Sequence, residues 1–124
     1  PDHFSREQAV QASAISNVLI ASLLTGDYPL AGDMMEKDMF HEPYRQELIP
    51  NYKVIKTEAK KHGAYGTVIS GAGPTMISFT KAGEGGSIAK RMEPFLPNYD
   101  IKVLKIDQNG LTVSPNGKLK AAAE

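Results

Sequence analysis

The sequence of 124 residues contains no cysteine and no tryptophan, and its 14 basic side chains balance its 14 acidic ones. The absence of cysteine excludes a disulfide framework, thiolate chemistry and a cysteine-based zinc site. Zero net charge argues against a general electrostatic grip on nucleic acid or an anionic membrane. No unbroken apolar run approaches the roughly 18 residues of a membrane span, and the start lacks a signal-peptide pattern. We therefore expect a cytoplasmic protein with no nucleic-acid or membrane partner.

What the chain does contain is the composition of an ordinary globular domain, with 41% hydrophobic and 23% charged residues. Its length is enough to bury a core. We expect one domain over residues 1–115 and a fraying tail over 116–124, which is polar and then alanine-rich. Because Pro1-Asp2-His3-Phe4 lacks an initiator methionine, we also expect the chain to be a piece of a longer protein.

The first half of the chain carries helical signals. Ser5-Arg6-Glu7-Gln8 is a capping-box pattern, and the apolar residues after it recur at spacings of three and four. Gly26 supplies a left-handed stop, so we predict a helix over about 6–25. Asp27 is a suitable N-cap for a second helix, which the apolar pattern extends to about Phe40.

A break is predicted next, because Pro43 disfavours helical angles at the residue before it, in the segment His41-Glu42-Pro43. A third helix is predicted over about 51–62. After this helix the apolar residues no longer follow a helical spacing, and two β-branched or apolar runs, 67–69 and 76–79, are predicted to be strands. The remaining predicted elements are a turn at 83–86, a helix over 87–93, a strand over 101–107, a turn at 109–110 and a return strand over 111–113.

The most conspicuous motif is Ser70-Gly71-Ala72-Gly73-Pro74-Thr75, between the two predicted strands. Its glycines permit backbone angles that a side chain forbids, and they allow another group to approach the main chain. Such a loop can direct N–H groups at phosphate oxygens, or it can be a tight connection without a ligand. It is neither a P-loop, because no Gly-Lys-Ser/Thr follows, nor a dinucleotide fingerprint, because a strand comes next.

A second cluster, His41-Glu42-Pro43-Tyr44-Arg45, brings together an imidazole, a carboxylate, a phenol and a guanidinium. The arginine suits a two-pronged contact with a substrate carboxylate, although the spacing alone favours a salt bridge at a helix end. His3 and His62 lie at no ligand spacing, so we expect no histidine-based metal site.

Together the two motifs resemble a known family. Residues 70–75, with an apolar strand on each side, resemble the third conserved motif of the GHMP kinases, which include galactokinase, homoserine kinase and mevalonate kinase. Within that superfamily, the 41–45 cluster followed by Leu48-Ile49-Pro50 and the 51–63 helix resembles the homoserine kinases. The junction Leu23-Leu24-Thr25-Gly26-Asp27 fits the same family.

The resemblance covers about Phe4 to Val113 and implies a GHMP kinase C-terminal domain. Such a domain is α+β and ferredoxin-like, with helices on one face of a mainly antiparallel sheet whose first strand would precede residue 1. The implied activity is transfer of the γ-phosphoryl group of ATP, with Mg²⁺, to the hydroxyl of L-homoserine, giving O-phospho-L-homoserine in threonine biosynthesis. The implied partner is the chain's own N-terminal GHMP domain, which would carry the main phosphate loop and the Mg²⁺ ligands. By itself this part is then expected to be inactive, and a homodimer is left open.

The resemblance also implies roles for individual residues. Arg45 would bind the carboxylate of homoserine, with a second arginine expected before residue 1. The loop that supports and faces the nucleotide-phosphate loop would comprise Gly71, Ala72, Gly73 and Pro74, flanked by Ser70 and Thr75. No catalytic residue and no metal ligand is implied here, since phosphoryl transfer depends mainly on positioning and electrostatic stabilisation.

Two alternatives remain open from the sequence. Another GHMP kinase would keep the glycine loop but bind a different substrate. The 41–45 cluster distinguishes the two, because an amino acid needs a carboxylate clamp whereas an isoprenoid phosphate needs several cations. A ferredoxin-like regulatory module would instead bind a small ligand without any partner domain.

Overall fold

Five α-helices, two 3₁₀ turns and a β-hairpin make up the computed structural model, which describes residues 1–110. Two of the helices, Tyr28–Met35 and Tyr52–Lys61, both pack against the first strand of the hairpin, so the fold is α+β as expected. In chain order the elements are α1 (Arg6–Thr25), α2 (Tyr28–Met35), α3 (Glu42–Arg45), a 3₁₀ turn (Gln46–Leu48), α4 (Tyr52–Lys61), β1 (Gly66–Ile69), β2 (Met76–Phe79), α5 (Gly85–Met92) and a second 3₁₀ turn (Glu93–Phe95).

Helix α1 has the bounds that its capping signals predict. The N–H of Gln8 donates to Ser5 Oγ at 3.1 Å, and the N–H of Ser5 donates to Gln8 Oε1 at 2.9 Å. Gly26 ends the helix with φ of 76°. Helix α1 contains no unbroken apolar run as long as a membrane span. It nevertheless has the length and composition of such a span, with a mean hydropathy of 1.2. A buried core helix of a soluble protein and a signal sequence pass the same test, and in this structure only 6% of the window is buried.

The second and third helices differ from their predicted limits. Asp27 caps α2 as expected, because its carboxylate accepts the N–H of Leu30 at 3.1 Å. The helix nevertheless ends at Met35 rather than Phe40. The side chain of its C-cap residue, Glu36, bonds to β1, and this long-range contact is invisible to the helical periodicity.

The prediction of a break at 41–43 was wrong, because a short helix, α3, begins at Glu42. Pro43 lies in its first turn, where the missing N–H has no intrahelical partner to lose. The start of α3 is held by Asp38, whose Oδ2 accepts the N–H groups of His41 at 2.7 Å and Glu42 at 2.6 Å.

The hairpin confirms the two predicted strands. Strands β1 and β2 are antiparallel, with Gly66 opposite Phe79 and Ile69 opposite Met76. The other edge of β1 is occupied by carboxylates from two helices. Glu36 Oε1 accepts the N–H of Thr67 at 2.9 Å, and Glu42 Oε1 accepts the N–H of Ile69 at 2.6 Å.

The main core lies between α4, α5 and the segment after α5. Its buried members are Ile55, Ala59, Ala64, Ile88, Met92 and Leu96. Helix α2 reaches β1 through backbone contact at Gly32. A Cβ on Gly32 would lie 2.0 Å from the carbonyl oxygen of Tyr65, so only glycine permits this approach.

The predictions after the hairpin were only partly correct. Helix α5 begins at Gly85, inside the predicted turn, and Pro94 lies in the 3₁₀ turn that follows it. The strand predicted over 101–107 does not form, since the described residues give this segment no strand to pair with. The predicted return strand at 111–113 and the tail at 116–124 lie outside the described residues.

Candidate functional site at the glycine loop and Arg45

The loop between β1 and β2 is closed by its own backbone. The N–H of Ser70 donates to the carbonyl of Thr75 at 2.8 Å, and the N–H of Gly73 donates to the carbonyl of Ser70 at 3.1 Å. Gly71 and Gly73 have φ of 59° and 78°, in the left-handed region that favours glycine, and the peptide bond before Pro74 is cis. The two closing bonds and the two glycines produce a tight, exposed turn.

One side of this turn is packed against the protein. A Cβ on Gly73 would lie 3.2 Å from Ile49 Cδ1 and 3.3 Å from Ile69 Cγ2, whereas a Cβ on Gly71 would meet nothing within 4 Å. Gly73 therefore seats the loop on the connection between α3 and α4, and Gly71 lies at its open side. No hydrogen bond within residues 1–110 uses the N–H groups of Gly71 and Ala72. The open side can thus offer donors to oxygen atoms from outside this chain.

Arg45 brings the two sequence motifs together. Its Nη1 donates to the carbonyl oxygen of Ala72 at 2.9 Å, across 27 positions of sequence. Within residues 1–110 the guanidinium of this half-buried residue forms no salt bridge, so the helix-end ion pair that the spacing favours is not observed. The planar fork of the guanidinium has further donors, which suit it to a carboxylate beside the loop.

A buried carboxylate, Glu42, underlies this contact; the sequence analysis named it only as one member of the 41–45 cluster and predicted no role for it. Its Oε1 accepts the N–H of Ile69, and its Oε2 accepts from Lys56 Nζ at 2.9 Å and from the hydroxyl of Tyr52. Burial, together with this carboxylate, raises the pKa of Tyr52, which therefore stays protonated as a donor. The only local signal was the i,i+4 spacing of Tyr52 and Lys56, which places both on one face of α4.

Asp38 was also missed, and it fixes the start of the helix that carries Arg45. Burial raises the pKa of Asp38, but the N–H groups of Glu42, His41 and Phe40 bond to the ionised form and outweigh it, so the pKa lies below its ordinary value. The imidazole of His41 reaches the same carboxylate, with 3.4 Å between Nδ1 and Oδ1. His41 therefore belongs to the cap of α3, at the opposite end of this short helix from its arginine.

The chemistry available at the site is recognition of oxygen anions. Arg45 and the loop N–H groups are all donors. Across residues 1–110, no group of three or more His, Asp or Glu side chains is placed to hold a metal ion. The arrangement is suited to orienting substrates whose reacting groups are held elsewhere.

A family model described as GHMP kinases C terminal matches residues 19–97, which include both Arg45 and the loop. The chain belongs to this family. The predicted resemblance to the GHMP kinases is therefore confirmed, together with the α+β fold expected of their C-terminal domain.

Similar proteins place this GHMP domain close to the homoserine kinases. The homoserine kinase of Oceanobacillus iheyensis is 50% identical over 115 residues, which cover 91% of this chain and 39% of that protein. The homoserine kinase of Staphylococcus saprophyticus is 47% identical over 112 residues, covering 90% of this chain and 37% of that protein. The crystal structure of homoserine kinase from Cytophaga hutchinsonii matches with a TM-score of 0.70 and 33% identity, over 78% of this chain and 31% of that chain. The GHMP domain thus spans less than half the length of the relatives it matches.

Proposed function

We propose that this chain acts as the C-terminal domain of a cytoplasmic homoserine kinase. The reaction transfers the γ-phosphoryl group of ATP to the hydroxyl of L-homoserine, and gives O-phospho-L-homoserine and ADP. The observation that carries the proposal is the hydrogen bond between Arg45 and Ala72. It places a guanidinium suited to an amino-acid carboxylate directly against the glycine loop.

The remaining parts of the reaction are assigned to an N-terminal GHMP domain. The resemblance to the GHMP kinases implies that the main phosphate loop and the Mg²⁺ ligands belong to that domain, and we assign them there. Mg²⁺ would neutralise charge on the transferring phosphate oxygens. In this chain, residues 71–74 would support the phosphate loop, with the open side at Gly71 facing it and Gly73 seated on Ile49. Ser70 and Thr75 close the loop at its base.

The alternative of a GHMP kinase for an isoprenoid phosphate is disfavoured by the charges near the loop. Such a substrate needs several cationic groups, whereas Arg45 is the one basic side chain among residues 1–110 that hydrogen-bonds to the loop. The relatives from Oceanobacillus iheyensis, Staphylococcus saprophyticus and Cytophaga hutchinsonii are homoserine kinases, which supports homoserine as the substrate.

The test is substitution of Arg45 in the full-length enzyme. Loss of a hydrogen bond to a charged group costs about 1.5–3 kcal/mol, so Arg45→Ala should raise the KM for homoserine roughly 10- to 150-fold. Arg45→Lys should restore only part of this loss, because an ammonium group cannot reproduce the planar fork. The KM for ATP should change much less.

The matched control is Arg91→Ala, which removes an exposed guanidinium in the last turn of α5 that, among residues 1–110, forms no hydrogen bond to the loop. Its kinetic constants should equal those of the wild type. An unchanged KM for homoserine in Arg45→Ala would refute the assignment of the carboxylate clamp.

A further inference from the structure

Glu42 joins three parts of the chain through one buried carboxylate. Its side chain is only 8% exposed. It accepts from Ile69 N at 2.6 Å on β1, and from Lys56 Nζ at 2.9 Å and the hydroxyl of Tyr52 on α4. Such a set of partners satisfies both carboxylate oxygens, as a buried charge requires.

The same residue begins the short helix that ends at Arg45. Ile69 is the last residue of β1 and directly precedes the glycine loop. Helix α3 and the loop are therefore joined twice, by Glu42 with Ile69 at the base of the loop and by Arg45 with Ala72 at its tip. The Arg45 bond is exposed to solvent, where water competes with it, whereas the Glu42 bond is shielded.

We propose that Glu42 is the positioning residue that sets the guanidinium of Arg45 for the substrate carboxylate, an inference that rests on the proposed function. Helix α3 has only four residues, so its own backbone bonds hold it weakly in place. The buried carboxylate fixes its first residue to β1 and α4, and the last residue then projects at a defined point beside the loop. A misplacement of about 1 Å at such a clamp costs on the order of 10²-fold in rate.

The chain contains a matched control for this role. Glu36 bonds to the same edge of β1, since its Oε1 accepts the N–H of Thr67 at 2.9 Å. Its Oε2 accepts from Lys60 Nζ at 3.0 Å, so it too links β1 to a lysine of α4. It belongs to the end of α2, however, and has no direct connection to Arg45. Loss of either carboxylate removes a bond to β1 and a lysine partner. Only the loss of Glu42 also releases the first residue of α3, the helix that carries Arg45.

The experiment compares Glu42→Ala, Glu42→Gln and Glu36→Ala in the full-length enzyme by steady-state kinetics and thermal unfolding. Glu42→Ala should raise the KM for homoserine about 10- to 100-fold. Glu36→Ala should also lower Tm but leave that KM within about twofold of wild type. Glu42→Gln keeps an acceptor oxygen for the N–H of Ile69 but turns an NH₂ group toward the ammonium of Lys56, so it should restore part of the affinity for homoserine.

A wild-type KM in Glu42→Ala would overturn the inference, as would an equal rise of KM in Glu36→Ala. If Glu42→Ala does not fold, Glu42→Asp replaces it. The shorter side chain keeps the charge for Lys56 but draws the oxygen away from Ile69, so its KM should exceed that of Glu42→Gln. Equal, wild-type KM values in both of these variants would overturn the inference.

Arg45→Ala measured in parallel separates the two proposals. If it raises the KM for homoserine while the Glu42 variants do not, only the positioning role fails. If Arg45→Ala leaves that KM unchanged, the clamp and the positioning role fail together.

Discussion

Substitution of Gly73 by alanine tests whether the glycine loop is held by packing as well as by its backbone. The residue has φ of 78°, which an L-residue adopts at a cost of about 1–2 kcal/mol. Its new Cβ would also lie 3.2 Å from Ile49 Cδ1 and 3.3 Å from Ile69 Cγ2, closer than ordinary contact. Overpacking of this kind costs about 1–3 kcal/mol. We therefore expect Gly73→Ala to destabilise the chain by about 2–5 kcal/mol.

Two companion variants separate strain from packing. Gly71→Ala carries the same backbone strain, with φ of 59°, but its Cβ meets nothing within 4 Å, so it should cost only about 1–2 kcal/mol. Ile49→Val removes the nearest atom, Cδ1, and normally costs about 0.5–1.5 kcal/mol. In the Gly73→Ala background the same truncation should cost less or even stabilise the chain. Chemical denaturation of the single variants, the double variant and the wild type completes this double-mutant cycle.

The reasoning is refuted if Gly73→Ala and Gly71→Ala lose the same stability, or if Ile49→Val costs as much in the Gly73→Ala background as in the wild type. Turnover of the full-length enzyme adds a second reading. If the loop supports the phosphate loop, Gly73→Ala should lower kcat on the order of 10²-fold, because the transferring group would be displaced. Wild-type turnover in a correspondingly destabilised variant would show that the loop is only a connector.

Two further predictions concern elements that position the site. Gly32→Ala should destabilise the chain by more than about 3 kcal/mol, because its Cβ would lie 2.0 Å from the carbonyl oxygen of Tyr65. The control, Gly86→Ala, has open space around its Cβ and should be neutral or slightly stabilising. Equal melting temperatures of the two variants would contradict this prediction. The lowered pKa of Asp38 means that its contribution to stability is complete above the unfolded pKa of about 3.9 and is lost as pH falls through the lower folded value. Asp38→Ala should therefore cost about 0.5–2 kcal/mol at pH 7 and progressively less below pH 4 in thermal unfolding from pH 7 to 3; a constant difference across that range would refute the assignment.

Local signals were sufficient for several elements of the fold. The capping box at Ser5 and the left-handed Gly26 each involve only a few neighbouring residues, and they determine the two ends of α1. The prediction of a helix over 6–25 was therefore accurate. The two strands could also be predicted from the sequence, because apolar and β-branched residues flank a turn that only glycine can make. Both motifs of the candidate site could likewise be read from the sequence.

Contacts across long stretches of chain could not be read in the same way. The pairing of Arg45 with Ala72 spans 27 positions, and neither motif contains information about the other. Glu42 was read only as one charge in a cluster, since its burial depends on β1 and α4 closing around it. The prediction of a strand over 101–107 was wrong because local residues alone do not form a sheet. Its apolar residues suit a strand, but Leu104 and Ile106 remain about three-quarters exposed without a neighbouring strand among the described residues.

The two carboxylates on the outer edge of β1 also determine how this sheet can be extended. An unpaired edge strand is a template for pairing with another chain, and proteins commonly obstruct it with charge. Here a strand approaching β1 from outside would have to displace Glu36 from Thr67 and Glu42 from Ile69, and would leave both charges beside its own carbonyl groups. Growth on that side is thereby blocked, and any additional strand must join the sheet next to β2.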